Sequence, residues 1–119
     1  MALAALGRVD DVDIEASGKF KYILIQLSVG DQTKYIVRGY SHCGYHADIY
    51  DEVTPALEKQ GINCSCPGGG RIEHDKNAKT ILVYGYSMGF GQADHSIAVK
   101  ILQKKFPDYT SIKSSNEGY

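Results

Sequence analysis

The chain contains no tryptophan, three prolines and three cysteines, and its 13 basic residues almost balance its 14 acidic ones. The cysteines are Cys43, Cys64 and Cys66. An odd count with two thiols one residue apart does not build a secreted disulfide framework, and the reducing cytosol is the expected compartment. A formal charge of -1 gives no global attraction to nucleic acid or to an anionic membrane surface. No apolar run approaches the length needed to cross a bilayer as a helix. The leading "MALAALGRVDDVDI" lacks a charged n-region and a full h-region, so it makes a poor signal peptide. A zinc site can be assembled from Cys64, Cys66, His74 and His42, but "CSC" is not a C-x-x-C knuckle and no second pair follows it. The expectation is therefore no metal ligand and no cofactor.

What is present suits a soluble globular domain. At 119 residues, 43% of them hydrophobic, the chain reads as a single domain, 1–119, able to bury a core without staples. "FKYILIQLSV" (20–29) is rich in β-branched and aromatic residues and predicts a strand, and "KYIVRGY" (34–40) predicts its hairpin partner across "GDQT". Helical spacing over 49–60 puts Ile49, Val53, Ala56 and Leu57 on one face and Gly61 at the stop. Pro55 is acceptable if that helix starts near Tyr50, whereas a start at His46 would predict a kink. "CPGGG" (66–70) reads as a loop, 71–74 as a strand entering a turn at "DKNA", and "TILVYGY" (80–86) as a further strand. After "SMGFGQ" comes a second helix, "ADHSIAVKILQKKF", with Ile97, Ile101 and Leu102 inward, and then a short strand in "YTSIK". The expected fold is α/β of the α+β type, a mixed sheet of about six strands packed with two helices and without an internal repeat.

Three cations stand at strand ends. Lys21 has the parity of Ile23, Ile25 and Leu27, so it opens an otherwise apolar strand face. Arg38 shares parity with Ile36, and Arg71 follows three glycines. Singly, each is explained by a rim position or a salt bridge. "PGGGRIEHDK" is not a Walker A loop and "GYSMGFG" is not G-x-G-x-x-G, so nucleotide binding by those devices is unsupported. "YSMGFGQADH" does offer a strand, a glycine turn and a helix start whose amides can hold a phosphoryl oxygen. Of the four histidines, His42, His46, His74 and His95, His46 stands apart at a loop-to-helix junction beside the strand end that carries Arg38.

The segments "FKYILI", "IVRGY", "YHADIYD", "GGGRI" and "VYGYSMGFG" together resemble the phosphohistidine phosphatase family, also called janus or ocnus, in the same order over nearly the whole chain. The resemblance implies a metal-independent protein phosphatase acting on phosphohistidine, with some action on phospholysine, and the cysteine usage above makes a cytoplasmic location the expectation. By motif, His46 of "YHAD" is the catalytic residue, Lys21 of "FKY" and Ser87, Met88 and Gly89 of "YSMG" bind substrate, and Arg38 and Arg71 match basic positions around the pocket. The third position of that loop is glycine where some relatives have alanine. His95 also has a counterpart and reads as structural. The implied partners are phosphohistidine-containing proteins, with no nucleic acid and no membrane, and monomer is the default. His46 is expected to act as general base on water, with attack by its own nitrogen as the second option. A module that binds phosphorylated partners without turnover would use the same cations and amides.

Overall fold

The computed structural model describes residues 6–115; residues 1–5 and 116–119, which the single-domain reading includes, lie outside the described residues. After helical residues 6–8 the elements run β1 (Val12–Ile14), β2 (Gly18–Val29), β3 (Gln32–Gly39), α1 (His46–Lys59), β4 (Asn63–Asp75), β5 (Thr80–Tyr84), α2 (His95–Lys105) and β6 (Ser111–Ser114). The strands form one mixed sheet in the order β1-β3-β2-β4-β5-β6. The inner pairs are antiparallel, and the edge strands β1 and β6 run parallel to their neighbours. This is the expected mixed α+β sheet. β1, which periodicity does not predict, is three residues long and is held by pairing with β3.

Alternation along β2 builds two cores. Ile23, Ile25 and Leu27 pack with Ile36, Ile49 and Leu57 under α1, while Tyr22 and Leu24 join Val37, Ile72, Val83, Ala98 and Leu102 under α2. Both faces of the sheet are thus covered by one helix each, and an almost uninterrupted run of buried residues results in β2. In α2, Ala98 and Leu102 carry the buried stripe, with Ile97 and Ile101 half-buried beside them. In α1 the fully buried positions are His46, Ile49, Thr54 and Leu57; Ala56, expected inward, is exposed.

Three expectations change. α1 begins at His46, earlier than the spacing predicts, and continues helical through Pro55. The missing Pro55 amide falls on the exposed side of the helix, where water can satisfy the orphaned carbonyl. Thr54 meanwhile donates its hydroxyl to the Tyr50 carbonyl at 2.8 Å. Second, "CPGGG" is not a loop but the middle of β4. Pro67 is accommodated at a bulge, where pairing with β2 jumps from Gln26–Ser65 to Leu24–Gly68. The glycines are extended and serve close packing. A Cβ on Gly68 would lie 2.5 Å from the Ala93 nitrogen, on Gly69 2.6 Å from the Tyr22 oxygen, and on Gly70 2.3 Å from the Tyr84 oxygen. Third, the chain holds two strand-strand-helix units, and V-x-G-Y-S, at 37–41 and 83–87, runs off the end of both β3 and β5 before a helix whose first residue is a buried histidine. Their helices lie on opposite faces, so the recurrence is local.

Candidate active site

His46 is the first residue of α1, with extended Tyr45 as its N-cap and the Tyr45 amide donating to the Asp48 carboxylate at 3.0 Å. Its side chain is buried, and it lies directly on β4: a Cβ on Gly69 would come within 2.9 Å of His46 Cδ2. The ring's Nε2–H donates to the Gly70 carbonyl at 2.9 Å. That bond fixes the tautomer and leaves Nδ1 with its lone pair. Lys21 of β2 and Arg71 of β4 are paired across the sheet, on the face that α1 covers. Burial pushes the His46 imidazole below its ordinary pKa, and the charges of Lys21 and Arg71 push it the same way against the opposing Gly70 hydrogen bond. The ring is therefore neutral at neutral pH.

The loop after β5 forms the other wall. Gly85 and Gly91 adopt φ of 77° and 88°, and the Ser87 and Gly91 amides bond to each other's carbonyls at 3.0 and 2.8 Å. Ser87 Oγ accepts from the Phe90 amide at 3.1 Å, so this hydroxyl holds the loop closed. The Gly69 amide bonds the Gly91 carbonyl at 3.0 Å, tying the loop to the strand on which His46 lies. Among the described residues the amides of Met88 and Gly89 carry no hydrogen bond. A Cβ on Gly89 would meet open space, so alanine there would leave this backbone unchanged.

A cavity of about 500 Å³ opens between loop and helix, lined by Lys21, Gly44, Tyr45, His46, Ala47, Ser87, Met88, Gly89 and Phe90. A smaller one of about 230 Å³, containing Lys21, Gly44, Cys43 and Arg71, adjoins it. The predicted Lys21, His46, Arg71, Ser87, Met88 and Gly89 thus come together. Sequence reading missed Gly44, Tyr45, Ala47 and Phe90; the helix N-terminus at 45–47 was the available signal, since its first amides have no intrahelical acceptor. Arg38 is elsewhere: it is buried, and its guanidinium donates to the Val37 and Asp10 carbonyls at 3.0 and 2.7 Å. A larger open groove of about 750 Å³ along β4, β5 and β6 includes His74, both of whose nitrogens are engaged, by the Glu15 carbonyl and the Tyr109 hydroxyl. It offers no reactive group comparable to His46.

The other histidines and the thiols have different employment. His95 starts α2 on the opposite sheet face, accepts from the Tyr22 hydroxyl at Nδ1 (2.5 Å) and donates from Nε2 to the Gly85 carbonyl (2.9 Å). Both ring nitrogens are used, and the ring is neutral because burial lowers its pKa. Cys64 and Cys66 pack under α1, far in the fold from His74, so the zinc set of Cys64, Cys66, His74 and His42 does not assemble. Burial raises all three thiols, Cys66 to about 11, which keeps them protonated and poor nucleophiles.

A neutral buried imidazole with one open nitrogen, two cations and two open amides around two adjoining cavities that share Lys21 and Gly44 define a site for an anionic group next to a base. A model of the Janus/Ocnus family matches residues 6–110. The 14 kDa phosphohistidine phosphatases of Sus scrofa and Homo sapiens are each 46% identical to the chain, over 99% and 100% of it and 98% and 100% of their own lengths. Sex-regulated protein janus-A of Drosophila yakuba is 49% identical over 100% of the chain and 88% of its own length. The chain belongs to the Janus/Ocnus family.

Proposed function

We propose that this chain is a protein phosphatase that hydrolyses the P–N bond of phosphohistidine in proteins, with His46 as general base. The observation that carries the reading is the His46 ring itself, kept neutral by burial and flanking cations and held at Nε2 by Gly70, which leaves Nδ1 to act as the free base. Relatives of nearly the same length that are named phosphohistidine phosphatases support the substrate class.

The chemistry asks little more of the protein. Once its imidazole is protonated, the substrate has a good leaving group, and catalysis reduces to positioning and charge stabilisation. Lys21, Arg71 and the Met88 and Gly89 amides hold the phosphoryl oxygens, supplying the positive charge that the transition state requires. Water attacks phosphorus in line, Nδ1 of His46 takes the water's proton, and the P–N bond breaks toward the protonated imidazole. No metal or cofactor is needed for these steps. Arg38 supports the strand end and does not touch the phosphate. Tyr45 and Met88, 74% and 86% exposed at the cavity, present apolar surface to the polypeptide around the phosphohistidine.

The test is phosphate release from a phosphohistidine peptide with chelator present. Wild type should turn over, and a folded His46→Ala should lose about 10²–10⁴-fold, the range of a positioned general base. Equal rates would remove His46 from the chemistry. Binding of the peptide without turnover by wild type would make this a recognition module. An acid-labile phosphoryl group trapped on His46 would replace the base by a nucleophile.

A further inference from the structure

Beside the phosphate cavity, the turn at 40–43 and the middle of α1 bring three donors of different chemistry together. The Cys43 amide bonds the Tyr40 carbonyl at 3.3 Å, and this turn sets His42 and Cys43 against α1. There Glu52 Oε1 lies 2.7 Å from His42 Nε2 and 3.9 Å from Cys43 Sγ. All three donor atoms lie within 4.8 Å of one another. The Tyr40 ring stacks on His42, with centroids 5.3 Å apart and planes at 14°, and its hydroxyl is anchored on Asp13 at 2.9 Å. The imidazole is therefore oriented from outside the cluster, as supporting side chains orient metal-binding histidines. His42 and Glu52 are exposed, so an ion can enter from solvent, while Cys43 is buried behind them.

An exposed histidine–glutamate pair accounts for two of these groups but not for the buried thiol turned to the same carboxylate oxygen. Tetrahedral zinc, with bonds of about 2.0 Å to nitrogen and oxygen and about 2.3 Å to sulfur, separates its donors by roughly 3.3–3.6 Å. The two distances to Glu52 Oε1, 2.7 and 3.9 Å, bracket that spacing, and all three donor atoms lie within 4.8 Å of one another, so small side-chain rotations bring them to it. Nitrogen, thiolate and carboxylate together select a borderline ion over calcium or magnesium. We propose that His42, Cys43 and Glu52 form a binding site for Zn²⁺ or a chemically similar divalent ion. On binding, the Cys43 thiol releases its proton to solvent, His42 gives up the Nε2 proton it shares with Glu52 to solvent so that the Nε2 lone pair meets the ion with any remaining ring proton on Nδ1, and water completes the fourth position. The site is not the phosphatase machinery. Cys43 does line the smaller cavity with Lys21 and Arg71, and it stands three residues before His46, so a bound ion would hold the segment that leads into the active helix.

Binding can be read directly, without turnover, which keeps its failure distinct from failure of the phosphatase reading. The reduced full chain is titrated with Co²⁺ as a spectroscopic probe, followed by displacement with Zn²⁺. One equivalent should bind with a cobalt–thiolate charge-transfer absorption. His42→Ala and Glu52→Gln, both surface changes, should weaken binding about tenfold or more. Cys43→Ser should remove the thiolate band, and Cys64→Ser with Cys66→Ser should leave it intact. Absence of stoichiometric binding, a band that follows Cys64 and Cys66, or affinity unchanged in His42→Ala would each overturn the site.

Discussion

His46 and His95 each begin a helix, each is buried, and each has a depressed pKa, yet their nitrogens are used differently. His95 is tied at both, by Tyr22 and Gly85. His46 is tied at Nε2 alone. Burial lowers both pKa values, so it is the free Nδ1, together with the Lys21 and Arg71 charges, that sets His46 apart as the proposed base. Part of it was legible in the sequence: parity put Lys21 on the face that His46 shares, because alternation along a strand is a geometric rule. Arg38 obeyed the same rule and still went elsewhere, because its partner is the Asp10 carbonyl just before β1, a segment with no pattern to announce it. The electrostatics at His46 can be measured. Its imidazole should titrate below the ordinary histidine value of about 6.5, and Lys21→Met, by removing one of the charges that disfavour protonation, should move it upward. NMR titration of the ring resonances reads both. A His46 that titrates at or above the ordinary value in the wild type would mean that the open nitrogen is not held as a free base.

At the level of elements, the glycine run of β4 is where sequence reading and fold part company. Three consecutive glycines after proline have the composition of a loop, and composition does not distinguish a backbone that must turn from one that others must approach. Here the second holds: His46 lies over Gly69 on one face of the strand and His95 over Gly70 on the other. The strand is thus a thin partition between the two histidines, and its Gly70 carbonyl also sets the His46 tautomer. Substitution should separate packing from chemistry. Gly70→Ala sets a Cβ 2.3 Å from the Tyr84 carbonyl and 2.8 Å from His95 Cε1 and should cost about 1–3 kcal/mol in urea unfolding, as overpacking does. Gly69→Ala meets the Tyr22 carbonyl at 2.6 Å and His46 Cδ2 at 2.9 Å. It should therefore destabilise as well and, in addition, lower kcat per folded molecule by displacing the imidazole. If Gly69→Ala kept wild-type kcat in its folded fraction, the close seat of His46 on β4 would have no catalytic importance.

Across the whole molecule, two cores back to back on one sheet each enclose a neutral histidine, and that arrangement has a consequence for acid stability. In the unfolded chain both rings titrate near the ordinary value of about 6.5, whereas in the folded protein both lie lower. Between the folded and unfolded values the unfolded state binds more protons, so stability rises with pH there and is lost as pH falls. His42 has the opposite sign: its pKa is raised by Glu52, so its contribution is present in acid and fades above its folded pKa. It is exposed, and solvent screening keeps that offset small. Asp94 and Asp108, held low by Ser96 and Lys79, add a further loss only in the carboxylate range. The unfolding free energy from urea titrations should accordingly be nearly level above about pH 7 and fall below about 6.5, with a slope of up to about 2.7 kcal/mol per pH unit if both rings take up a proton on unfolding, and the urea midpoint should fall with it. A midpoint that stayed constant from neutrality to pH 5 would show that neither ring is kept neutral by the fold, and the free-base state of His46 would have to come from substrate binding instead.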